Sequence, residues 1–138
     1  MRLEPLSEKN CRTSEKFAFN FLMNLSHRYR IFKIVNGFAD FFIRKKGRLR
    51  KNTVSKAQNF KRNTIIECKE VLKGGKYSNI DMAIVELLTA NKILGGDNEL
   101  WIICKKNIAT KDEYSYSKLW KRILNIHDIK VTELEAKP

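Results

Sequence analysis

The stretch ELWIICKK, residues 99–106, constrains the fold more than any other part of the chain. Its unbroken apolar centre reads as a strand buried on both faces, which places it inside a sheet flanked by helices. The segments around it alternate in period. From Thr13 to about Arg30 the spacing is helical, with Phe17, Phe21 and Leu25 on one face and Thr13 or Ser14 as cap. IFKIV, then Asn36-Gly37, then FADFFI is a hairpin signal. A two-residue loop there places Val35 opposite Phe38 and Lys33 opposite Asp40. TIIECKEVL is a β-branched strand ended by Gly74-Gly75. Ser78 or Asn79 then caps a helix whose face carries Ile80, Ala83, Ile84, Leu87, Leu88 and Ile93, closed by Gly95-Gly96-Asp97. After the buried strand come a short helix, SYSKLWKRIL, and an edge strand, DIKVTEL. The expected fold is therefore α/β or α+β: one domain, a central mixed sheet flanked by helices, in the order αβββαβαβ. It spans residues 13–134, between an N-terminal tail (1–12) and a frayed C-terminal one (135–138).

Charge selects the partner. Lys and Arg number 28 against 15 Asp and Glu, a net +13 that a polyanion would relieve. Nucleic acid is favoured over an anionic membrane, because no basic amphipathic helix dominates and no apolar run reaches the ~18 residues of a membrane span. The start, MRLEPLSEKN, has no apolar secretory core. Cys11, Cys68 and Cys104 are widely spaced thiols suited to a reducing compartment. An intracellular, cytoplasmic protein is expected.

The cations concentrate between residues 44 and 62: Arg44, Lys45, Lys46, Arg48, Arg50, Lys51, Lys56, Lys61 and Arg62. No acidic residue interrupts them between Asp40 and Glu67. This reads as a basic arm contacting phosphates, with a steep salt dependence.

The fragment Ile65-Ile66-Glu67-Cys68-Lys69 carries the chemistry. On a strand Glu67 and Lys69 share a face. A carboxylate and an ammonium on an apolar sheet are costly to bury unless a site uses them. Magnesium takes one or two carboxylates, with water and substrate phosphate filling the remaining positions. Asp40, inside an apolar run, is the second carboxylate, and Glu15 near the first helix can supply a third oxygen.

An Asp on the second strand, Glu-x-Lys on the third and a Glu on the first helix resemble the PD-(D/E)XK phosphodiesterases, which include restriction enzymes and archaeal Holliday-junction resolvases. The resemblance runs from about Thr13 to Lys106. It implies Asp40, Glu67, Lys69 and Glu15 as catalytic residues, and Mg²⁺ or Mn²⁺ held by Asp40 and Glu67. It further implies cleavage of nucleic acid, DNA rather than RNA, by a homodimer like that of the resolvase-like members. Two other readings share the arm without the chemistry: a ribosome-associated or architectural nucleic-acid binder, and a factor whose positive face meets an acidic protein. Nucleotide hydrolysis, dinucleotide redox and serine-hydrolase chemistry lack their motifs.

Overall fold

The computed structural model describes residues 1–45, 62–70, 80–107 and 118–136. One mixed six-stranded sheet runs in the order β1-β2-β3-β4-β5-β6. The strands are β1 (Arg2–Pro5), β2 (Tyr29–Val35), β3 (Phe41–Lys45), β4 (Thr64–Glu70), β5 (Glu99–Asn107) and β6 (Ile129–Ala136). The helices are α1 (Lys16–Leu25), α2 (Ile80–Ile93) and α3 (Lys118–Ile126). β1 to β4 pair antiparallel in succession, and β4-β5 and β5-β6 pair parallel. Each parallel step needs a crossover, which α2 and α3 supply.

Strand alternation divides the core in two. Phe42, Ile65, Leu100, Ile102 and Cys104 pack with the α2 residues Ala83, Ile84 and Leu87 and with Leu124 of α3. Ile31, Phe41, Ile43, Ile66, Trp101 and Ile103 pack with Ala18 and Leu22 of α1 on the other face. Burial of Leu100 through Cys104 without a break explains why that segment has no alternation to read. Trp101 is core: its indole N–H donates to Thr132 Oγ1 at 2.7 Å, and Phe21 meets its ring edge-on at 5.7 Å. Gly95 and Gly96, with φ of 104° and 83°, end α2 as expected.

The expected order αβββαβαβ is present from α1 onward, with four corrections around it. Residues 2–5 are a strand and not tail: they pair with β2, Leu3 packs on the core, and Pro5 is tolerated because β1 is an edge. β6 extends to Ala136, into the segment read as a frayed end. α1 stops at Leu25, because the β-favouring run from Tyr29 is drawn into the sheet, where Tyr29 is buried. Ile93, assigned to the packed face of α2, is 54% exposed in the last turn.

The hairpin also differs. β2 and β3 pair with Lys33 opposite Phe41 and Phe32 opposite Phe42, so Val35–Phe38 and Lys33–Asp40 are not cross-strand partners. Residues 36–40 form a longer loop in which Asn36 (φ 54°) and Ala39 (φ 66°) are left-handed. Asp40 lies in that loop, one residue before β3. The Gly74-Gly75 break and the Ser78 or Asn79 cap lie outside the described residues.

Candidate active site

The site forms where β3 and β4 part. Their ladder runs Ile43–Thr64, Phe42–Ile65, Phe41–Ile66. The Asp40 N–H still donates to the Ile66 carbonyl at 2.9 Å. The next amide on β4, that of Cys68, donates instead to Asp40 Oδ2 at 2.7 Å. A side chain has replaced the backbone acceptor, and among the described residues β4 continues toward Glu70 paired with β5 alone. Left-handed Ala39 makes the turn; such a conformation costs a non-glycine residue about 1–2 kcal/mol.

The gap is a cavity of about 330 Å³ lined by polar groups, among them Arg12, Asp40, Glu67, Lys69 and Glu86. Glu67 and Lys69 share the β4 face that carries Ile65 and looks toward α2, as strand alternation requires. Glu67 is 4% exposed, and Lys69 Nζ stands 3.9 Å from its Oε1. Oε2 of Glu67 is buried with no donor to it among the described residues; its polar neighbours are the carboxyls of Glu86 and Asp40, which can only share a proton with it. Burial, with the carboxyls of Glu86 and Asp40 beside it, pushes the Glu67 pKa up to about 11.

Next to the cavity, on the α1 side of the sheet, lies a buried ion pair. Glu15, at the end of the 3-10 turn Thr13–Glu15, is 1% exposed and its partner Lys33 is 4% exposed. Lys33 Nζ donates to Glu15 Oε2 at 2.5 Å, and the Arg12 N–H donates to Glu15 Oε1 at 2.8 Å. Lys33 Nζ also lies 3.7 Å from Asp40 Oδ1 and 5.0 Å from the Phe41 ring centre. Burial and the Asp40 charge raise the Glu15 pKa against the opposing pull of Lys33.

Asp40, Glu67 and Lys69 thus come together in one cavity, although Asp40 reaches it from a loop and not from a strand. Glu15 is not among the cavity-lining residues; Lys33 Nζ bonds it and lies 3.7 Å from Asp40 Oδ1. Of the basic arm, Arg44 and Lys45 lie on β3, and Arg44 stands over the Phe32 and Phe42 rings at 5.7 and 6.0 Å. Arg62 donates to Asp97 Oδ1 at 2.8 Å, so its charge is engaged within the protein. Lys46, Arg48, Arg50, Lys51, Lys56 and Lys61 lie outside the described residues.

Sequence reasoning missed Arg12, Glu86 and the buried role of Lys33. A signal existed for Glu86, which lies three residues after Ala83 and four before Ala90, on the flank of the packed face of α2. Lys33 alternates with Tyr29 and Ile31 on the α1 face of β2, a pattern that puts a lysine among core positions.

The residues fit a divalent cation in one specific respect. Glu67 Oε2 is a buried oxygen with no donor among the described residues, set beside the carboxyls of Asp40 and Glu86, and a cation would satisfy it. Among the described residues no group of three or more His, Cys, Asp or Glu is arranged to hold an ion. The match is therefore to a hard ion that takes one or two carboxylates and draws its other oxygens from water and phosphate. No family model, no curated protein and no solved structure matches this chain. No helix among the described residues is long and apolar enough to cross a membrane.

Proposed function

We propose that this chain is a metal-dependent endonuclease that hydrolyses phosphodiester bonds, in DNA rather than RNA, as a member of the PD-(D/E)XK phosphodiesterases. The observation carrying the proposal is the pairing of Asp40 with buried Glu67, whose Oε2 has no donor among the described residues, in a cavity that Lys69 also lines. The succession of α1, three strands, α2 and a further strand is the order that the resemblance implies, and it supports this reading, although Asp40 stands one residue before its strand and Glu15 one before its helix. Keeping Glu67 protonated beside Asp40 and Glu86 at neutral pH is a cost that a bound cation would offset, and this favours the metal-dependent reading over a non-catalytic binder.

Asp40 and Glu67 are the residues that would hold Mg²⁺ or Mn²⁺. When bound, the ion supplies Lewis-acid stabilisation of charge developing on the phosphoryl oxygens. Cys68 N–H fixes the Asp40 carboxylate through Oδ2, so its direction is set before any ligand arrives. Lys69, about one-fifth exposed, presents an ammonium at the cavity wall, where it can orient the attacking water or offset charge on the phosphate. The net charge of +13 draws a polyanion to the surface. A homodimer on branched DNA belongs to the same proposal.

The test is a comparison of cleavage and binding on duplex, branched and single-stranded substrates with Mg²⁺ or Mn²⁺. Joint replacement Glu67→Ala and Lys69→Ala is expected to abolish cleavage and leave binding nearly intact. Undiminished cleavage by the purified double variant would remove the site from consideration.

A further inference from the structure

We infer that Glu15 acts as a positioning residue that holds the buried ammonium of Lys33 away from Asp40, keeping one Asp40 oxygen free for a cation. The inference rests on the proposed metal site and departs from the ligand role that the family resemblance implies for Glu15.

Three contacts carry it. Both oxygens of Glu15 already have donors, Oε1 from the Arg12 N–H at 2.8 Å and Oε2 from Lys33 Nζ at 2.5 Å. Glu15 is also absent from the cavity lining. Lys33 Nζ stands between the two acids, at hydrogen-bond length from Glu15 but 3.7 Å from Asp40 Oδ1. Asp40 Oδ2 already accepts the Cys68 N–H, so Oδ1 is the oxygen with the greater capacity left for a ligand. A cation arriving at Oδ1 and the ammonium of Lys33 compete for the same lone pairs. A buried lysine cannot discharge itself into water and pairs with whichever carboxylate it can reach. Glu15 decides that competition by taking the ammonium.

The consequence is specific. With Glu15 neutral, Lys33 closes on Asp40 and becomes a built-in competitor of the metal. With both Glu15 and Lys33 neutral, the competitor is gone. A buried ion pair replaced by uncharged groups of similar volume is commonly tolerated, so the double replacement is expected to fold. Gln at position 15 also keeps an acceptor for the Arg12 N–H.

The experiment is calorimetric titration of Mn²⁺ into the full chain and its variants. Glu15→Gln is expected to weaken Mn²⁺ binding about tenfold, and Glu15→Gln with Lys33→Met to restore it to the level of the unaltered chain. Lys33→Arg, whose longer fork can bond both acids, is expected to weaken binding in the same direction as Glu15→Gln. Equal weakening in the single and double Glu15 variants would mean that Glu15 itself is a ligand, and would overturn the inference while leaving the metal site standing. Unchanged affinity in both Glu15→Gln and Lys33→Arg would also overturn it. No Mn²⁺ binding by the unaltered chain would overturn the metal site and this inference together.

Discussion

Asp40 Oδ2 accepts the backbone N–H of Cys68 at 2.7 Å, closing with a side chain the position where the β3-β4 ladder has just ended. The bond aims the carboxylate and at the same time lets the strands separate into a cavity. Asp40→Asn keeps an acceptor and removes the charge, whereas Asp40→Ala removes both. Hydrogen bonds to charged groups contribute about 1.5–3 kcal/mol, so Asp40→Ala is expected to lose stability in that range in urea unfolding. Asp40→Asn should lose less, and both should lose cleavage.

Glu67 sets the pH dependence. Its pKa rises from an ordinary 4.5 to about 11 in the folded chain. The unfolded chain therefore releases this proton first. The contribution of neutral Glu67 is complete below 4.5 and declines as pH rises toward 11. The metal-free protein is expected to melt at progressively lower temperature as pH is raised from weakly acid to weakly alkaline. Glu67→Gln, neutral throughout, should flatten that dependence and raise the melting temperature at neutral pH. Mg²⁺ should raise the melting temperature of the unaltered chain more than that of Glu67→Gln. Thermal melts across pH, with and without Mg²⁺, check all three outcomes.

The strand pattern made the site half legible. Glu67 and Lys69 could be assigned to one face of β4 from alternation alone, and the apolar sides of β3 and β5 fixed where the sheet lay. Asp40 could be read as the partner of Glu67 but not as a loop residue. Its position depends on a left-handed Ala39, a residue type that carries no turn signal of its own. The one-residue shift between the expected and observed β2-β3 register has the same origin, because loop length fixes register in a hairpin. Lys33, placed opposite Asp40 by the hairpin signal, does lie 3.7 Å from Asp40 Oδ1, though its register partner is Phe41. Its partner, Glu15, is 18 residues away in sequence on a different element, and no local pattern joins them. β1 was hidden because four residues ending in proline are too short to show a period.

Ala39 offers a test of backbone strain beside the site. With φ at 66°, replacing it with Gly removes a steric cost of about 1–2 kcal/mol against a smaller loss from the freer unfolded chain. Ala39→Gly is expected to raise the melting temperature slightly. Cleavage should be unchanged or lower, because the turn that aims Asp40 becomes less constrained. Parallel melting and rate measurements on this one variant decide it.

The cationic surface predicts a salt signature. Arg44 is exposed and Lys45 half-buried at the end of β3, where the basic segment begins. If each neutralises one phosphate of duplex DNA, replacing both with Ala lowers the log–log slope of affinity against salt by about 0.9 per residue. Arg62, bound to Asp97, should contribute less when replaced. Fluorescence anisotropy across a salt series gives the slopes; equal losses from Arg62 and Arg44 would contradict the assignment.

The most direct measurement of the central claim is anomalous diffraction from crystals of the full chain soaked in Mn²⁺. One strong peak is expected between the carboxylates of Asp40 and Glu67, with Glu15 still bonded to Lys33. A fully ordered cavity without such a peak, or a peak held by other residues, would contradict that claim.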